Sequence, residues 1–254
     1  MAKAGEFIWY EMMTTDMDAA ETFYTSVVGW NAADAGMPGP KYTLLSKNGV
    51  NVAGLSTVEG GMPPAWLGHV LVEDVDATAE KAVTLGGKIV TPPQDIPGIG
   101  RFAAIADPHG AVILIFRGDG DPPPSLGPMD EGNIGWHELM AGDLDEAFAF
   151  YSALFGWVKD EAMDMGEMGI YQLFKLDGGE AAIGGMMTKS KDMPAPPYWG
   201  YYANVDAIDA AVERVKAGGG QIVFGPMEVP GGGAWAANGI DPQGALFSIV
   251  APKR

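Results

Sequence analysis

The chain contains no cysteine in its 254 residues. That absence excludes disulfides, thiolate nucleophiles and any Cys-ligated zinc or iron–sulfur centre. Positive charge is scarce as well: 15 Lys and Arg face 33 Asp and Glu, a net charge of −18. A surface this acidic offers no basic stripe for phosphates, so neither nucleic acid nor an anionic membrane is an expected partner. Its field would draw in a cationic small molecule, although plain solubility is a sufficient reason for an acidic surface. The three histidines, His69, His109 and His137, are scattered and do not form a metal-binding motif. No apolar run reaches membrane-spanning length. The opening Met1-Ala2-Lys3-Ala4-Gly5-Glu6 carries no signal-peptide pattern. These absences lead to the expectation of a cytoplasmic protein, monomer or homodimer, whose partner is a small molecule.

What the chain has is repetition. Trp9-Tyr10-Glu11-Met12 returns as Trp136-His137-Glu138-Leu139, Asp16 as Asp143, Phe23-Tyr24 as Phe150-Tyr151 and Gly29-Trp30 as Gly156-Trp157, all 127 residues apart. Farther on, Trp66 matches Trp199, Gly86-Gly87 matches Gly219-Gly220, and Asp107-Pro108-His109-Gly110 matches Asp241-Pro242-Gln243-Gly244, the offset having grown to 134. Between the copies lies Gly118-Asp119-Gly120-Asp121-Pro122-Pro123-Pro124-Ser125, which can continue neither a helix nor a central strand. Residues 118–131 are therefore expected to form an extended linker between domains at 1–117 and 132–254.

Each copy divides again. A strand-like start is followed by an N-capping Asp16 and apolar residues at helical spacing: Ala19, Ala20, Phe23, Val27 and Val28. In the second copy Asp143 and Glu146 make a capping-box pattern. Strand-like runs follow at 41–45 and 50–55, with Asn48-Gly49 as a hairpin turn. The second half repeats this plan, with a strand at 67–72, a helix capped near Asp74 that ends at Gly86-Gly87, and further strands. Asp107-Pro108-His109-Gly110 suits a type I turn, which leaves His109 solvated. The expected modules span about 5–58, 65–117, 132–188 and 197–252. Each exposes a sheet face it cannot bury alone.

Several of these features together resemble the vicinal oxygen chelate superfamily of glyoxalases, bleomycin-resistance proteins and extradiol dioxygenases. They are the strand–Asp–helix–Phe-Tyr–Gly-Trp runs (Trp9 to Trp30, Trp136 to Trp157), the Val-Asp-Ala helix starts (Val75-Asp76-Ala77, Val205-Asp206-Ala207), the Gly-Gly exits and the Asp-Pro-x-Gly hairpins. The resemblance implies an α+β fold: four βαβββ modules forming two tandem glyoxalase-like domains with cup-shaped mixed sheets. Fold alone does not imply function.

Metal-dependent members of that superfamily carry His or Gln on the first strand, His on the equivalent strand of the next module, and Glu on the last. At those places this chain has Trp9, Leu67 and Leu114 in the first copy, and Trp136, Gly200 and Ser248 in the second. Divalent metals need several converging oxygen or imidazole ligands. No cofactor is expected on this reading, with a divalent metal left open should the ligands be displaced.

Residues two apart on a strand share a face, so Glu11 accompanies Trp9, Glu138 accompanies Trp136, and His69 accompanies Leu67. A carboxylate and an imidazole meeting in one cleft would make a general acid–base pair; alternatively Glu11 and Glu138 hold backbone groups in a purely structural role. His137, adjacent to Glu138, should face the other way. Trp9, Trp66, Trp136, Trp199, Tyr202 and Trp235 are candidate walls of an aromatic ligand site. Three functions stay open. The first is metal-independent binding of a small, largely apolar or cationic molecule. The second is a lyase or isomerase acting next to a carbonyl, with Glu11/His69 or Glu138 as acid–base groups. The third is a metal-dependent glyoxalase or dioxygenase with displaced ligands.

Overall fold

The computed structural model describes residues 3–37, 39–58, 60–120 and 123–254. Asp121 and Pro122 of the expected linker lie outside the described residues.

The first copy runs β1 (Phe7–Thr14), α1 (Met17–Val28), β2 (Asn31–Asp34), β3 (Thr43–Lys47), β4 (Val50–Thr57), β5 (Ala65–Leu71), α2 (Val75–Thr84), β6 (Lys88–Ile96), β7 (Gly100–Ala106) and β8 (Val112–Gly118). The second runs β9 (Ile134–Ala141), α3 (Leu144–Phe155), β10 (Val158–Asp164), β11 (Ile170–Lys175), β12 (Gly184–Thr188), β13 (Tyr198–Asn204), α4 (Ile208–Ala217), β14 (Gln221–Glu228), β15 (Trp235–Ile240) and β16 (Leu246–Ala251). The strands form two eight-stranded mixed sheets, ordered β2-β3-β4-β1-β5-β8-β7-β6 and β10-β11-β12-β9-β13-β16-β15-β14. This is the α+β architecture of four βαβββ modules.

Local chemistry accounts for the elements. Asp16, Asp74 and Asp143 each accept the backbone N–H three residues on, capping α1, α2 and α3. Gly29 and Gly156 end α1 and α3 in the left-handed region. Asn48 and Gly49 both take positive φ, so the β3–β4 hairpin closes through a tight turn. Two expectations need correcting. Glu146 does not return to the helix start as in a capping box; its carboxylate pairs with His109 Nε2 at 2.7 Å, so that imidazole is not merely solvated. At α4 the N-cap is Ala207, which has no side-chain acceptor, and the preceding Asp206 pairs with Arg214 at 2.6 Å.

The chain folds into two compact units, and each draws on both copies. The first comprises the described residues of Met1–Trp9, Gly68–Pro123 and His137–Trp199; the second comprises Tyr10–Leu67, Pro124–Trp136 and Gly200–Arg254. Four of the five cuts fall inside β1, β5, β9 and β13, the first strand of each module, and the fifth falls in the linker after Pro123.

In the second unit Asp241 is buried, and its Oδ1 accepts the N–H groups of Gln243 and Ala245. Its Oδ2 accepts the Tyr24 hydroxyl at 2.9 Å, and that hydroxyl accepts the Trp66 indole N–H at 2.9 Å. Burial, followed by the Asp241 charge, holds the Tyr24 phenol well above its ordinary pKa, so it stays neutral and donates. The first unit repeats the chain: Asp107 accepts from His109 and Ala111 N–H and from the Tyr151 hydroxyl at 3.3 Å, which accepts from Trp199 at 3.0 Å. A buried carboxylate is tolerable only when hydrogen-bonded in this way.

The other repeated motifs serve the same junctions. Trp30 Nε1 donates to the Gly132 carbonyl at 2.6 Å, and Trp157 Nε1 to that of Gly5 at 2.8 Å. A Cβ at Gly220 would meet Phe23 at 2.8 Å, and one at Gly87 would meet Phe150 at 2.9 Å, so the second glycine of each Gly-Gly pair makes room for a ring from the other copy. The end of the linker is tied down as well: Asn204 Nδ2 donates to the Pro128 and Asp130 carbonyls.

His137 faces the interior, opposite to Glu138, stacked on Phe7 at 3.8 Å with Nδ1 donating to the Ile183 carbonyl. Burial pushes its pKa down to about 4.

Two measurements check these junctions. Tyr24→Phe leaves an indole N–H and a carboxylate oxygen buried without partners, and should cost about 3 kcal/mol in urea unfolding. Tyr151→Phe, which removes the longer bond, should cost less. For His137 the folded pKa lies below the unfolded value of about 6.5, so the unfolded chain binds the proton more strongly. Its neutral form contributes fully above pH 6.5. About 3 kcal/mol of stability is then lost as pH falls to about 4, and none below. His137→Phe, which keeps the stack, should flatten the wild-type decline in unfolding free energy between pH 6.5 and 4.

Candidate functional site

Subtracting the packing groups leaves a short set of chemically able side chains. Trp66 and Trp199, expected as ligand walls, lie in the interior with their N–H groups bound to Tyr24 and Tyr151. Their placement accounts for them as core. Trp9 and Trp136 are half-buried, on the strand face opposite the buried Tyr10, Met12 and Thr14 and the buried His137, Leu139 and Ala141. Trp235 is half-buried, with the Arg254 guanidinium 4.8 Å above its ring.

Glu11 and Glu138 sit in matching surroundings, one in each unit. Glu11 pairs in register with Gly54 across the parallel β1–β4 ladder, and Glu138 with Gly185 across β9–β12. Registered partners direct their side chains to the same face. A Cβ at Gly54 would overlap the Tyr42 hydroxyl, and one at Gly185 would overlap the Tyr171 ring. In both copies a tyrosine therefore lies over a glycine beside a half-buried carboxylate. Sequence reasoning missed Tyr42 and Tyr171; the signal available was a glycine inside a strand, which marks close approach of another group.

The two carboxylates differ in their other neighbours. Glu11 accepts a hydrogen bond from the Ser56 hydroxyl. The residue at the place of Ser56 in the second copy is Met187. Glu138 instead acts on Tyr198, whose phenol is pushed up to about 12 by burial and then by the negative charge of Glu138.

His69 is buried in the first unit, registered with Leu114 and in edge contact with the Phe116 ring at 6.1 Å. Glu11 belongs to the second unit. The matching pair in the second copy is Tyr202 and Ser248, both buried. Asn238 Nδ2 donates to the Tyr202 hydroxyl at 3.1 Å and to Ser248 Oγ at 2.7 Å. This neutral polar network has an apolar counterpart in the first copy, where Ala104 is registered with Leu114.

Among the described residues, no three His, Cys, Asp or Glu side chains group closely enough to hold a metal ion. No described helix is long and apolar enough to cross a membrane.

Comparison with known proteins agrees with this architecture. The family model described as Glyoxalase/Bleomycin resistance protein/Dioxygenase superfamily matches residues 7–115 and again 133–249. A protein named "Putative glyoxylase CFP32" from Mycobacterium tuberculosis is 36% identical over 251 residues, covering 96% of this chain and 94% of its own. The anthracycline biosynthesis protein DauV of a Streptomyces species is 30% identical, covering 95% and 91%. Among solved structures, the Mn(II)-bound glyoxalase from Novosphingobium aromaticivorans superposes with a TM-score of 0.67 at 16% identity, over 100% of this chain and 84% of that one. A catechol 2,3-dioxygenase superposes at 0.65 and 15% identity, over 100% and 94%. Matched twice by the family model, and nearly end to end by relatives at 30% identity or more, the chain belongs to the Glyoxalase/Bleomycin resistance protein/Dioxygenase superfamily.

Proposed function

We propose that this chain binds a small, largely apolar or cationic molecule without the divalent metal used by other members of its superfamily. The observation that carries the reading is the Tyr202–Asn238–Ser248 network on β13, β15 and β16. A phenol, an amide and a hydroxyl bind neutral polar groups well and divalent cations poorly. That donor set does not suit a divalent metal. Half-buried aromatic side chains supply apolar contact area. The net charge of −18 favours a cation over an anion. Two Streptomyces relatives are named for anthracycline biosynthesis, which makes an anthracycline the first ligand to try.

Titration of EDTA-treated protein with an anthracycline, followed by tryptophan fluorescence, should give saturable binding that added Mn(II) or Zn(II) does not strengthen. Binding that appears only with a stoichiometric divalent ion would overturn this reading and favour a metal-dependent enzyme with displaced ligands.

The repeated carboxylate–tyrosine pairing supports a second reading, a lyase or isomerase acting next to a carbonyl. Glu11 in the second unit, or Glu138 in the first, would move the proton. Glu11→Gln and Glu138→Gln then separate the cases. Under the binding reading both variants keep ligand affinity within roughly threefold, because the Tyr202–Asn238–Ser248 network and aromatic contacts, rather than either carboxylate, hold the ligand. Under the enzymatic reading, turnover of an α-hydroxycarbonyl substrate falls by about a hundredfold or more while the unfolding midpoint is unchanged.

A further inference from the structure

Four side chains lie in one row across the second sheet. Tyr202 on β13 is registered with Ser248 on β16, Ser248 with Asn238 on β15, and Asn238 with Phe224 on β14. Registered neighbours share a face, and strands are about 4.8 Å apart, so the row is about 14 Å long. On this face Tyr202 and Ser248 are buried, Asn238 is half-buried and Phe224 is exposed, so the row runs from the interior outward. The adjacent Gly239 turns to the other side, where a Cβ would run into the buried ring of Phe247.

The chemistry along the row is graded. Both amide hydrogens of Asn238 are used, one on the Tyr202 hydroxyl and one on Ser248 Oγ. With the amide placed this way round, its nitrogen donates to both hydroxyls. Asn238 Oδ1 is then an acceptor and the Ser248 hydroxyl proton a donor, held side by side in fixed orientation. At the outer end Phe224 is 52% exposed, a large apolar ring that an edge strand ordinarily keeps from water. The first copy has the same backbone row without these groups: His69, Leu114, Ala104 and Thr91. The fold therefore does not require Ser248, Asn238 or Phe224.

We propose that Tyr202, Ser248, Asn238 and Phe224 form a binding strip for a flat, neutral aromatic molecule carrying a hydroxyl or carbonyl group on its rim. Ser248 and Asn238 address the polar rim, and Phe224 takes the face or edge of the far ring. The inference rests on the metal-free binding reading and narrows its ligand to one class.

The probes are 1,2-dihydroxyanthraquinone and anthracene, which share three fused rings that suit the length of the row but differ in that anthracene has no polar group on its rim. Dissociation constants are measured by tryptophan quenching on the full chain. The wild type should prefer the dihydroxy compound by roughly tenfold, the worth of one or two net hydrogen bonds. The double variant Asn238→Ala, Ser248→Leu installs the residues of the first copy. Its unfolding transition checks that it still folds, and the folded variant should bind both probes alike. Phe224→Ala should weaken both probes by a similar factor, roughly three- to tenfold, and keep the preference. The strip is overturned if the double variant folds and keeps the preference, or if the wild type binds neither probe. Should the anthracycline still bind metal-free protein in either case, the broader binding reading survives and only the strip is lost.

Discussion

The architecture hangs on a buried carboxylate that is fully hydrogen-bonded. Asp241 and Asp107 each open an Asp-Pro-x-Gly turn, and each uses one oxygen to hold that turn closed. The other oxygen receives a tyrosine from the opposite copy, and the tyrosine receives a tryptophan. A single chain of three groups thus fixes a turn, a helix and the start of a strand relative to one another. Ionised carboxylates are expensive to bury, and this one is tolerated because every partner is in place. Removing a member exposes the remainder to the full desolvation penalty, which makes the junction all-or-none.

Around that chain the remaining repeated motifs take complementary parts. The indoles of Trp30 and Trp157 close the backbone just ahead of β9 and β1. The rings of Phe23 and Phe150 fill space cleared by Gly220 and Gly87. Arg214 donates to the carbonyl of Val27 at the end of α1, where a cation also meets the negative end of the helix dipole. These contacts join residues of different copies within one compact unit, so neither copy holds all of the groups its own motifs need.

While these repeated motifs are committed to packing, the copies differ chemically at other positions. Ser56 stands beside Glu11 where Met187 stands in the second copy, and Tyr202, Asn238 and Ser248 replace His69, Ala104 and Leu114. The duplicated scaffold therefore carries two different chemical surfaces. One combines a carboxylate with a hydroxyl, and the other is a neutral hydrogen-bonding strip.

The sequence by itself determined the repeat, the four modules, the helix caps and the turns, because these depend on local spacing and on single residues such as Asp16, Asn48-Gly49 and Asp107. It also displayed Glu11 beside Trp9 and Glu138 beside Trp136 on shared strand faces, since alternation is a local property. It could not say which modules share a compact unit, because that is decided by hydrogen bonds between residues such as Tyr24 and Asp241, 217 positions apart. Nor could it separate Trp66 and Trp199 from Trp9 and Trp136: all four sit near strand starts, and only their burial and hydrogen-bond partners tell core from open face. Tyr42, Tyr171, Asn238 and Phe224 were invisible for the same reason. Their significance lies in cross-strand register, and register is a property of the assembled sheet rather than of any one strand.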